Sequence, residues 1–317
     1  MHHQTFTLTT HDNVPVHVNH WSSGATPRAV VMLAHGMGEH SGRYADFGQA
    51  LAENGIDLYA LDQRGHGLTA QHDIVGHFAH HGGWQRVQDD LHQLRQLIHH
   101  QHHHTPLFLF GHSMGSYIAQ AYLLTHSAGL HGVVLSGSNY QPVSLYRAAR
   151  LIARFEGWRQ GPLGRSALIE WLSFGSFNKA FKPNRTPFDW LSRDAAQVDA
   201  YIADPLCGFR CTNQLWIDLL GGLQEITPIS QLARIDARLP ILVIGGECDP
   251  VSAGKRQKDL ACALRHAGLR HVQLNLYPDA RHELLHETNR ADVTFFLIDW
   301  LNQTLAASRS HPTKETA

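Results

Sequence analysis

The segment Leu107–Gly115 carries the residue pattern that nucleophilic catalysis by a serine requires. Its sequence, LFLFGHSMG, places the pattern G-x-S-x-G directly after a short apolar run and directly before an apolar-periodic helix. A tight strand-to-helix turn of this kind strains the backbone of the central serine and exposes its hydroxyl, so Ser113 is the candidate nucleophile. Gly111 and Gly115 leave room for the strand and helix to pack closely. The N–H of Met114, at the start of the helix, is a candidate donor to an oxyanion.

A serine hydroxyl is a weak nucleophile until a base removes its proton. Where a serine occupies such a turn, an acid and then a histidine follow it along the chain, each after a later strand. Asp249 follows the apolar run 241–244, and His282 follows the alternating run 272–277. Position alone distinguishes His282 among 26 histidines. Glu247 is a close alternative to Asp249 for the role of the acid.

A glycine-rich loop supplies the second candidate oxyanion donor. The sequence HGMGEH at 35–40 follows the apolar run 29–34. Such a loop lets a backbone N–H approach a substrate carbonyl oxygen, and Met37 is the expected donor. One donor of this kind is typically worth about 3 kcal/mol of transition-state stabilisation. Because a plain strand-to-helix turn needs the same glycines, only the combination with Ser113 favours catalysis.

Short apolar runs and helical patterns alternate along the chain and must position these residues. Each apolar run is too short for a helix and is typical of a strand buried on both faces, whereas 272–277 indicates an edge strand. Residues 6–18 predict an N-terminal hairpin. The alternation predicts an α/β fold with a mostly parallel sheet and helices on both faces. The predicted strands are 29–34, 56–61, 107–110, 132–135 and 241–244, and the predicted helices are 44–54, 84–99, 114–125 and 254–267.

The alternation breaks between residues 140 and 238, where the pattern is helical and four of the seven tryptophans occur. We interpret 140–238 as an inserted helical cap, so that residues 1–139 and 239–317 form the core. Most aromatic side chains of the cap are expected to pack it onto the core. Some are expected to line an apolar space above Ser113, suited to an acyl chain or an aromatic group. The aromatic residues concerned are Phe155, Trp158, Trp171, Phe174, Phe177 and Phe181.

Composition and charge exclude several classes of protein. Hydrophobic residues make up 43% and charged residues 17%, which excludes a disordered or fibrous chain. With 26 Lys plus Arg against 27 Asp plus Glu, no basic excess is present for binding nucleic acid. No run of about 18 apolar residues predicts a membrane span, and the N-terminus shows no signal-peptide pattern. Four cysteines suit a reducing compartment, so a cytoplasmic location is expected.

Three motifs together resemble the monoacylglycerol lipase and lysophospholipase group of α/β-hydrolases. They are HGMGEHSGRY at 35–44, DQRGHG at 62–67 and GHSMG at 111–115. The resemblance implies an α/β-hydrolase fold and an esterase that works through an acyl-enzyme, without metal or cofactor. Its substrate would be a small amphiphilic ester with one acyl chain, a monoacylglycerol or a lysophospholipid. The resemblance makes Ser113 the nucleophile, Asp249 the acid and His282 the base, and makes the N–H groups of Met37 and Met114 the oxyanion donors.

Two positions depart from the pattern of that family. Ser116 stands where a second glycine often follows the nucleophile turn, and Thr69 stands where a serine usually ends the block that begins at Asp62. Neither change touches the expected chemistry. For Asp62, Arg64 and His66 we expect a structural role in a hydrogen-bonded loop.

Two other functions are compatible with the same residues. A serine aminopeptidase would need a carboxylate in the cap to hold the substrate's free amine, and Glu156, Glu170 and Glu225 are candidates. A catalytically silent ligand-binding protein is disfavoured by the intact serine, aspartate and histidine. The cap is also a candidate for transient contact with a membrane surface.

Two further sequence features are assigned no catalytic role. The tract HHQHHH at 99–104 has a metal-binding composition, but it is expected to be a surface connection that binds metal only opportunistically. Cys207 and Cys211 lack the spacing of a zinc site and are interpreted as a buried or loop thiol pair.

Overall fold

An eight-stranded sheet forms the centre of the fold in the computed structural model, which describes residues 2–310 except for the side chains of residues 72 and 308–310. The strand order is β1-β2-β4-β3-β5-β6-β7-β8. Strands β3 to β8 run parallel, while β1 and β2 are antiparallel to each other and β2 is antiparallel to β4. The strands are β1 (His2–Thr9), β2 (Pro15–Ser22), β3 (Ala29–Ala34), β4 (Ile56–Leu61), β5 (Leu107–His112), β6 (Gly132–Ser136), β7 (Ile241–Gly246) and β8 (Val272–Tyr277).

Helices cover both faces of this sheet. One apolar cluster joins β5 and β6 to α2 and α3, and a second joins the other face of the sheet to α1 and α10. The five central strands are buried along their whole length, as expected for strands covered on both faces. The α-helices are α1 (Ala45–Glu53), α2 (Gly83–Gln101), α3 (Met114–His126), α4 (Val143–Gln160), α5 (Ala167–Ser173), α6 (Ala195–Ala203), α7 (Asn213–Ile226), α8 (Ile229–Leu232), α9 (Arg256–His266) and α10 (Arg290–Ser310). The predicted fold class is confirmed.

The predicted elements are found, with shifts at their ends that have local causes. Strand β5 continues to His112 because its pairing with β6 extends to Ser136. Helix α9 begins at Arg256 rather than at the predicted Gly254, since Gly254 adopts a φ of 68° that an α-helix cannot contain. In the N-terminal hairpin, Asn13 takes a φ of 64° and its N–H donates to the carbonyl of Thr10. The predicted edge strand β8 is the last strand of the sheet.

The predicted cap, residues 140–238, lies between β6 and β7 and contains α4 to α8. Helix α4 packs against α7, and α7 packs against α3 of the core. The exact division between cap and core stays a prediction. Among residues 2–310, none of the helices combines the length and the apolar character that crossing a membrane requires.

Candidate active site

Ser113 occupies the strained turn that the sequence predicts. It lies between β5 and α3 with φ 51° and ψ −119°, a conformation that L-residues rarely adopt. The Ser113 N–H donates to the carbonyl of Ser136 at 2.9 Å, which ties the turn to the end of β6. The hydroxyl of Ser116 donates to the Ser113 carbonyl at 2.6 Å. The serine that replaces a glycine of the family pattern therefore adds a hydrogen bond to the turn.

Glycines permit the close packing that holds this turn. A methyl group at Gly111 would lie 2.6 Å from the carbonyl oxygen of Gly115. A methyl group at Gly115 would lie 2.0 Å from the carbonyl oxygen of Ala34, at the end of β3. A methyl group at Gly36 would lie 3.2 Å from Cβ of Ser113. Gly36, in the glycine-rich loop after β3, thus lies close to the candidate nucleophile Ser113.

The two candidate oxyanion donors flank Ser113. Met37 belongs to the glycine-rich loop, and Met114 is the first residue of α3. Within residues 2–310, neither N–H has a hydrogen-bond acceptor. The N-terminus of a helix carries a partial positive charge, which adds to the attraction of the Met114 N–H for an anion. Both N–H groups are therefore available to a ligand, and their role as oxyanion donors stays a prediction.

Asp249 and His282 form a buried pair at the same edge of the sheet, beyond the ends of β7 and β8. Nδ1 of His282 lies 3.1 Å from Oδ1 of Asp249, and the two residues are 3% and 1% exposed. Burial alone would lower the pKa of the His282 imidazole, but the Asp249 carboxylate outweighs it and raises this pKa above its usual value. Glu247 is exposed and does not contact His282 in the described part of the chain. Geometry therefore favours Asp249 over Glu247 as the partner of the histidine.

Two aromatic rings enclose the His282 imidazole. The ring of Trp190, from the cap, lies 5.2 Å away, and the ring of His112 lies 4.9 Å away. Burial and the neighbouring His282 lower the pKa of His112 to about 4, so His112 is neutral at pH 7. Of the two neighbouring imidazoles, His112 and His282, His282 is the one that contacts the Asp249 carboxylate.

A buried ion-pair network connects the glycine-rich loop to the loop of His282. Arg43 donates two hydrogen bonds to Glu283, at 2.6 and 2.7 Å, and one to Glu39 at 2.9 Å. Glu39 also accepts from the N–H of Gly36 at 2.5 Å. Burial opposes ionisation of Glu39, but Arg43 holds the pKa of that carboxyl below its usual range. Glu39 and Arg43 belong to the predicted motif, whereas Glu283, next to His282, was missed.

The loop that begins at Asp62 is hydrogen-bonded, as predicted. Asp62 accepts from the N–H and the hydroxyl of Ser41, at 2.8 and 2.5 Å. The hydroxyl of Thr69 donates to the Asp62 carbonyl at 2.7 Å, so threonine serves where the family has serine. Arg64 is buried and pairs with Asp90 at 2.7 Å. Asp90 lies in α2, so this pair ties the loop to that helix.

The cap aromatics divide into two groups. Phe155, Trp158 and Trp171 are 55%, 80% and 62% exposed, so the expectation that they pack against the core or line the site is wrong. They lie on the outer faces of α4 and α5, whose buried faces carry Ala153 and Ile169 instead.

The second group of cap aromatics reaches the site. The rings of Phe174 and Phe177 lie 5.9 and 5.0 Å from the ring of Trp190, which contacts His282. The ring of Phe181 lies 4.2 Å from the guanidinium of Arg281, next to His282. Trp190 therefore borders the candidate base, and Phe174, Phe177 and Phe181 extend this aromatic wall away from it.

None of the candidate catalytic residues belongs to a cluster of metal-ligating side chains within residues 2–310. Two such clusters occur elsewhere in these residues: His20, Asp57 and His102, and His40, Asp204 and Cys207. Because Ser113 carries a hydroxyl and His282 an imidazole paired with a carboxylate, these side chains could perform proton transfer and nucleophilic attack.

A serine on a strained strand-to-helix turn, with an Asp–His pair at the same edge of a mostly parallel sheet, is the arrangement of α/β-hydrolases. The family model Hydrolase_4, described as "Serine aminopeptidase, S33", matches residues 25–289. The chain belongs to this family of hydrolases.

Known proteins resemble the chain over most of its length. It is 29% identical to a monoacylglycerol lipase of Mycolicibacterium smegmatis over 290 residues, 89% of this chain and 90% of the relative. It is 31% identical to a monoglyceride lipase homolog of Monkeypox virus over 289 residues, 88% of this chain and 90% of the relative. A crystal structure of a thermostable carboxyl esterase from Bacillus coagulans, in complex with glycerol, superposes with a TM-score of 0.88 at 27% identity, covering 96% and 99% of the two chains. The predicted resemblance to monoacylglycerol lipase-like α/β-hydrolases is confirmed.

Proposed function

We propose that the protein is a serine carboxylic-ester hydrolase that acts on lipids with a single acyl chain, monoacylglycerol or lysophospholipid. The observation that carries this proposal is the buried Asp249–His282 pair at the same edge of the sheet as the strained Ser113. The similarity to monoacylglycerol lipases supports an acylglycerol substrate.

The proposed mechanism assigns one role to each group. Asp249 accepts the hydrogen on Nδ1 of His282, which leaves Nε2 as the base that removes the Ser113 proton. Ser113 Oγ attacks the ester carbonyl, and the N–H groups of Met37 and Met114 donate to the resulting oxyanion. The protonated His282 returns its proton to the leaving alcohol, and the acyl group stays on Ser113. A water molecule, deprotonated by His282, then releases the fatty acid and restores the serine.

The aromatic wall beside His282 supports an apolar acyl group. The rings of Phe174 and Phe177 pack against the ring of Trp190, which lies next to the candidate base. Each buried CH₂ contributes about 0.8 kcal/mol, so four additional methylenes strengthen binding by about 3 kcal/mol, or more than a hundredfold. This gain is expected in kcat/KM until the acyl site is full.

A substrate series tests the proposal. We expect kcat/KM to rise from acetyl to at least octanoyl p-nitrophenyl esters, and monoacylglycerol or lysophospholipid to be cleaved faster than triacylglycerol. Phe177→Ala should flatten the chain-length profile, whereas Trp171→Ala, at an exposed aromatic, should leave it unchanged for soluble esters. A profile that peaks at acetyl would contradict the proposed acyl site. Faster cleavage of aminoacyl anilides than of any ester would favour an aminopeptidase.

The structure gives little support to that second function, because the three candidate carboxylates for holding an amine are poorly suited to it. Glu156 is bound by Arg159 and by the hydroxyl of Ser166. Burial raises the pKa of Glu170, which disfavours its charged form, and Glu225 is exposed. Ester hydrolysis is therefore the better-supported activity.

We also propose that the cap makes transient contact with lipid surfaces. Large apolar side chains are exposed on α4 and α5, and arginines lie among them. Apolar groups interleaved with cationic ones favour binding at an anionic lipid surface. The apolar side chains are Leu151, Phe155, Trp158, Trp171 and Leu172, and the arginines are Arg147, Arg154, Arg159 and Arg165. We further propose that the protein is located in the cytoplasm. Its four cysteines are free thiols, which suits a reducing compartment.

Vesicle sedimentation tests the membrane contact. The protein should co-sediment with phosphatidylglycerol vesicles more than with phosphatidylcholine vesicles, and Trp158→Ser combined with Phe155→Ser should reduce this. Equal recovery of wild type and variant in the pellet would contradict the proposed surface. Cell fractionation tests the proposed location. The protein should be recovered in the soluble cytoplasmic fraction of expressing cells, and recovery outside the cytoplasm would contradict the proposed location.

A further inference from the structure

Two histidines and a carboxylate meet at the edge of the sheet opposite to Ser113. Asp57 is the second residue of β4, His102 directly follows α2 and precedes β5, and His20 lies near the end of the antiparallel β2. Their ligand atoms all lie within 4.8 Å of one another, and Nε2 of His20 is 2.9 Å from Oδ2 of Asp57. The sequence places these residues 37 and 45 positions apart, so only the fold reveals the cluster.

The charge of Asp57 lacks a permanent cationic partner. Asp57 is 1% exposed and accepts hydrogen bonds from His20 and from the N–H of Ser23, at 2.9 and 3.2 Å. Among residues 2–310, no lysine or arginine forms an ion pair with it. A buried carboxylate is costly unless it is paired or coordinates a metal. The site is therefore suited to receiving a cation.

Each hydrogen bond that a metal would displace has a replacement nearby. Nδ1 of His20 is 2.8 Å from the side-chain amide nitrogen of Gln4. If the amide rotates by 180°, its oxygen can accept a hydrogen bond from a protonated Nδ1, and Nε2 is then free to bind a metal. Nε2 of His102 is 2.9 Å from the Tyr59 hydroxyl, which also has Gln101 Oε1 as an acceptor at 3.0 Å. No buried polar group is left without a partner when both imidazoles turn to an ion.

We propose that His20, Asp57 and His102 bind a zinc ion, with a water molecule as the fourth ligand. Zinc bonds of about 2.0–2.2 Å in a tetrahedron require ligand atoms about 3.3 Å apart. The ligand atoms of His20 and Asp57 are 2.9 Å apart and need to separate by about 0.4 Å, and His102 needs to move by about 1.5 Å at most. His102 is half-buried and lies just outside α2, so such a movement leaves the helix intact.

The ligand set and its position define what the ion would do. Two imidazoles and one carboxylate suit zinc, whereas magnesium and calcium prefer oxygen ligands. The site is at the opposite edge of the sheet from Ser113, so the ion would stabilise the fold and take no part in hydrolysis. It would join β2, β4 and the end of α2, three elements that are far apart in the sequence.

The other cluster is less suited to zinc. His40 and Asp204 form a pair at 2.8 Å, like that of His20 and Asp57, so the difference between the clusters lies in the third ligand. Burial raises the pKa of the Cys207 thiol, which keeps it protonated, and the positive charge of Arg43 lies nearby. Zinc binds thiolate rather than thiol, so this cluster serves as the control in the experiment below.

Calorimetric titration of metal-free full-length protein with ZnCl₂, after purification without a histidine tag, tests the proposal. We expect one tight site per chain and a higher Tm with zinc, and 1 mM MgCl₂ should not compete. Asp57→Asn and His102→Gln should each weaken zinc binding at least about tenfold. His104→Gln, in the exposed tract, and Asp204→Asn, in the other cluster, should leave the affinity unchanged.

Cobalt substitution provides a second measurement that does not depend on stability. Co²⁺ bound to the wild type should give a tetrahedral d–d absorption spectrum that His102→Gln removes and His104→Gln retains. Loss of the tight site in His104→Gln or Asp204→Asn, or the absence of a tight site in the wild type, would overturn the proposal. Hydrolysis of p-nitrophenyl esters should be the same with and without zinc, so this result is independent of the proposed function.

Discussion

Replacing Arg43 by methionine should destabilise the protein and slow catalysis together. Arg43 has an 8% exposed side chain and lies between two buried carboxylates, Glu39 and Glu283. Glu39 accepts a hydrogen bond from the N–H of Gly36 in the glycine-rich loop, and Glu283 is the neighbour of His282. Without the guanidinium, two buried carboxylates lose their common cation. The glycine-rich loop and the loop of His282 also lose their connection.

The magnitude follows from the burial of the three groups. Removing one partner of a buried ion pair typically costs about 3–5 kcal/mol, which lowers the folding equilibrium constant by roughly two to four powers of ten. Displacement of catalytic groups by about 1 Å can lower the rate on the order of 100-fold. We therefore expect kcat to fall by about that factor in protein that remains folded.

The pH dependence gives this prediction a distinct signature. In the wild type, burial opposes ionisation, but Arg43 keeps the pKa of both Glu39 and Glu283 below the usual value. Their contribution to stability is present above the usual carboxyl pKa and is lost only as the pH falls through the lowered folded-state values. In Arg43→Met, burial instead raises both pKa values, so the deficit should be largest at neutral pH and shrink towards pH 5.

Urea denaturation at pH 7 and pH 5, together with steady-state kinetics, measures these effects. The matched control is Arg185→Met, which breaks a pair with Asp199 that is half exposed on both sides and should cost less than about 1 kcal/mol. The reasoning would be refuted if both variants lost similar stability. An unchanged kcat in destabilised Arg43→Met would refute the role of the network in positioning the loops.

Three further predictions concern the candidate site. Asp249→Asn should lower kcat by about 10⁴-fold, the loss that the same change causes in a serine protease. Glu247→Gln should change kcat by less than about twofold, and equal losses in the two variants would contradict the choice of Asp249 as the acid. Activity should fall at acid pH as His282 gains a proton, with a midpoint above the usual histidine pKa of about 6.5 because Asp249 raises it; a midpoint at or below 6.5 in a pH–rate profile would contradict this. Gly115→Ala should lose about 3 kcal/mol in urea denaturation because its methyl group would lie 2.0 Å from a β3 carbonyl oxygen, whereas Gly157→Ala, in α4, should be tolerated.

The sequence predicts those parts of the fold that are determined by residues close together in the chain. Each central strand is a short apolar run between turn residues, so its existence and position follow from burial on both faces. The turn at Ser113 can also be predicted from the sequence, because a Cβ atom at Gly111 or Gly115 would lie less than 3 Å from neighbouring backbone atoms. Prediction is less accurate at element ends, where pairing extends β5 to His112 and a left-handed Gly254 delays α9.

What the sequence did not predict depends on contacts between distant segments. Arg43 and Glu283 are 240 residues apart, and no local pattern connects them. The outward position of Trp158 and Phe155 was also missed, because an aromatic residue on a helix is usually buried, and here Ala153 and Glu156 occupy the inner face of α4. The proposed zinc site was missed for the same reason. His102 belongs to the histidine tract, but His20 and Asp57 come from strands that are distant in the sequence.

Covalent labelling of Ser113 tests the central claim most directly. A fluorophosphonate probe reacts with a serine only when its hydroxyl is activated by a base, and Ser113 is the candidate that stands on a strained turn at the same sheet edge as the Asp249–His282 pair. Peptide mass spectrometry should find one labelled peptide, the one that contains Ser113, and His282→Ala should slow its labelling strongly. Ser113→Ala should abolish both labelling and ester hydrolysis while retaining the Tm of the wild type within a few degrees. Labelling or hydrolysis that persists in Ser113→Ala would contradict the account.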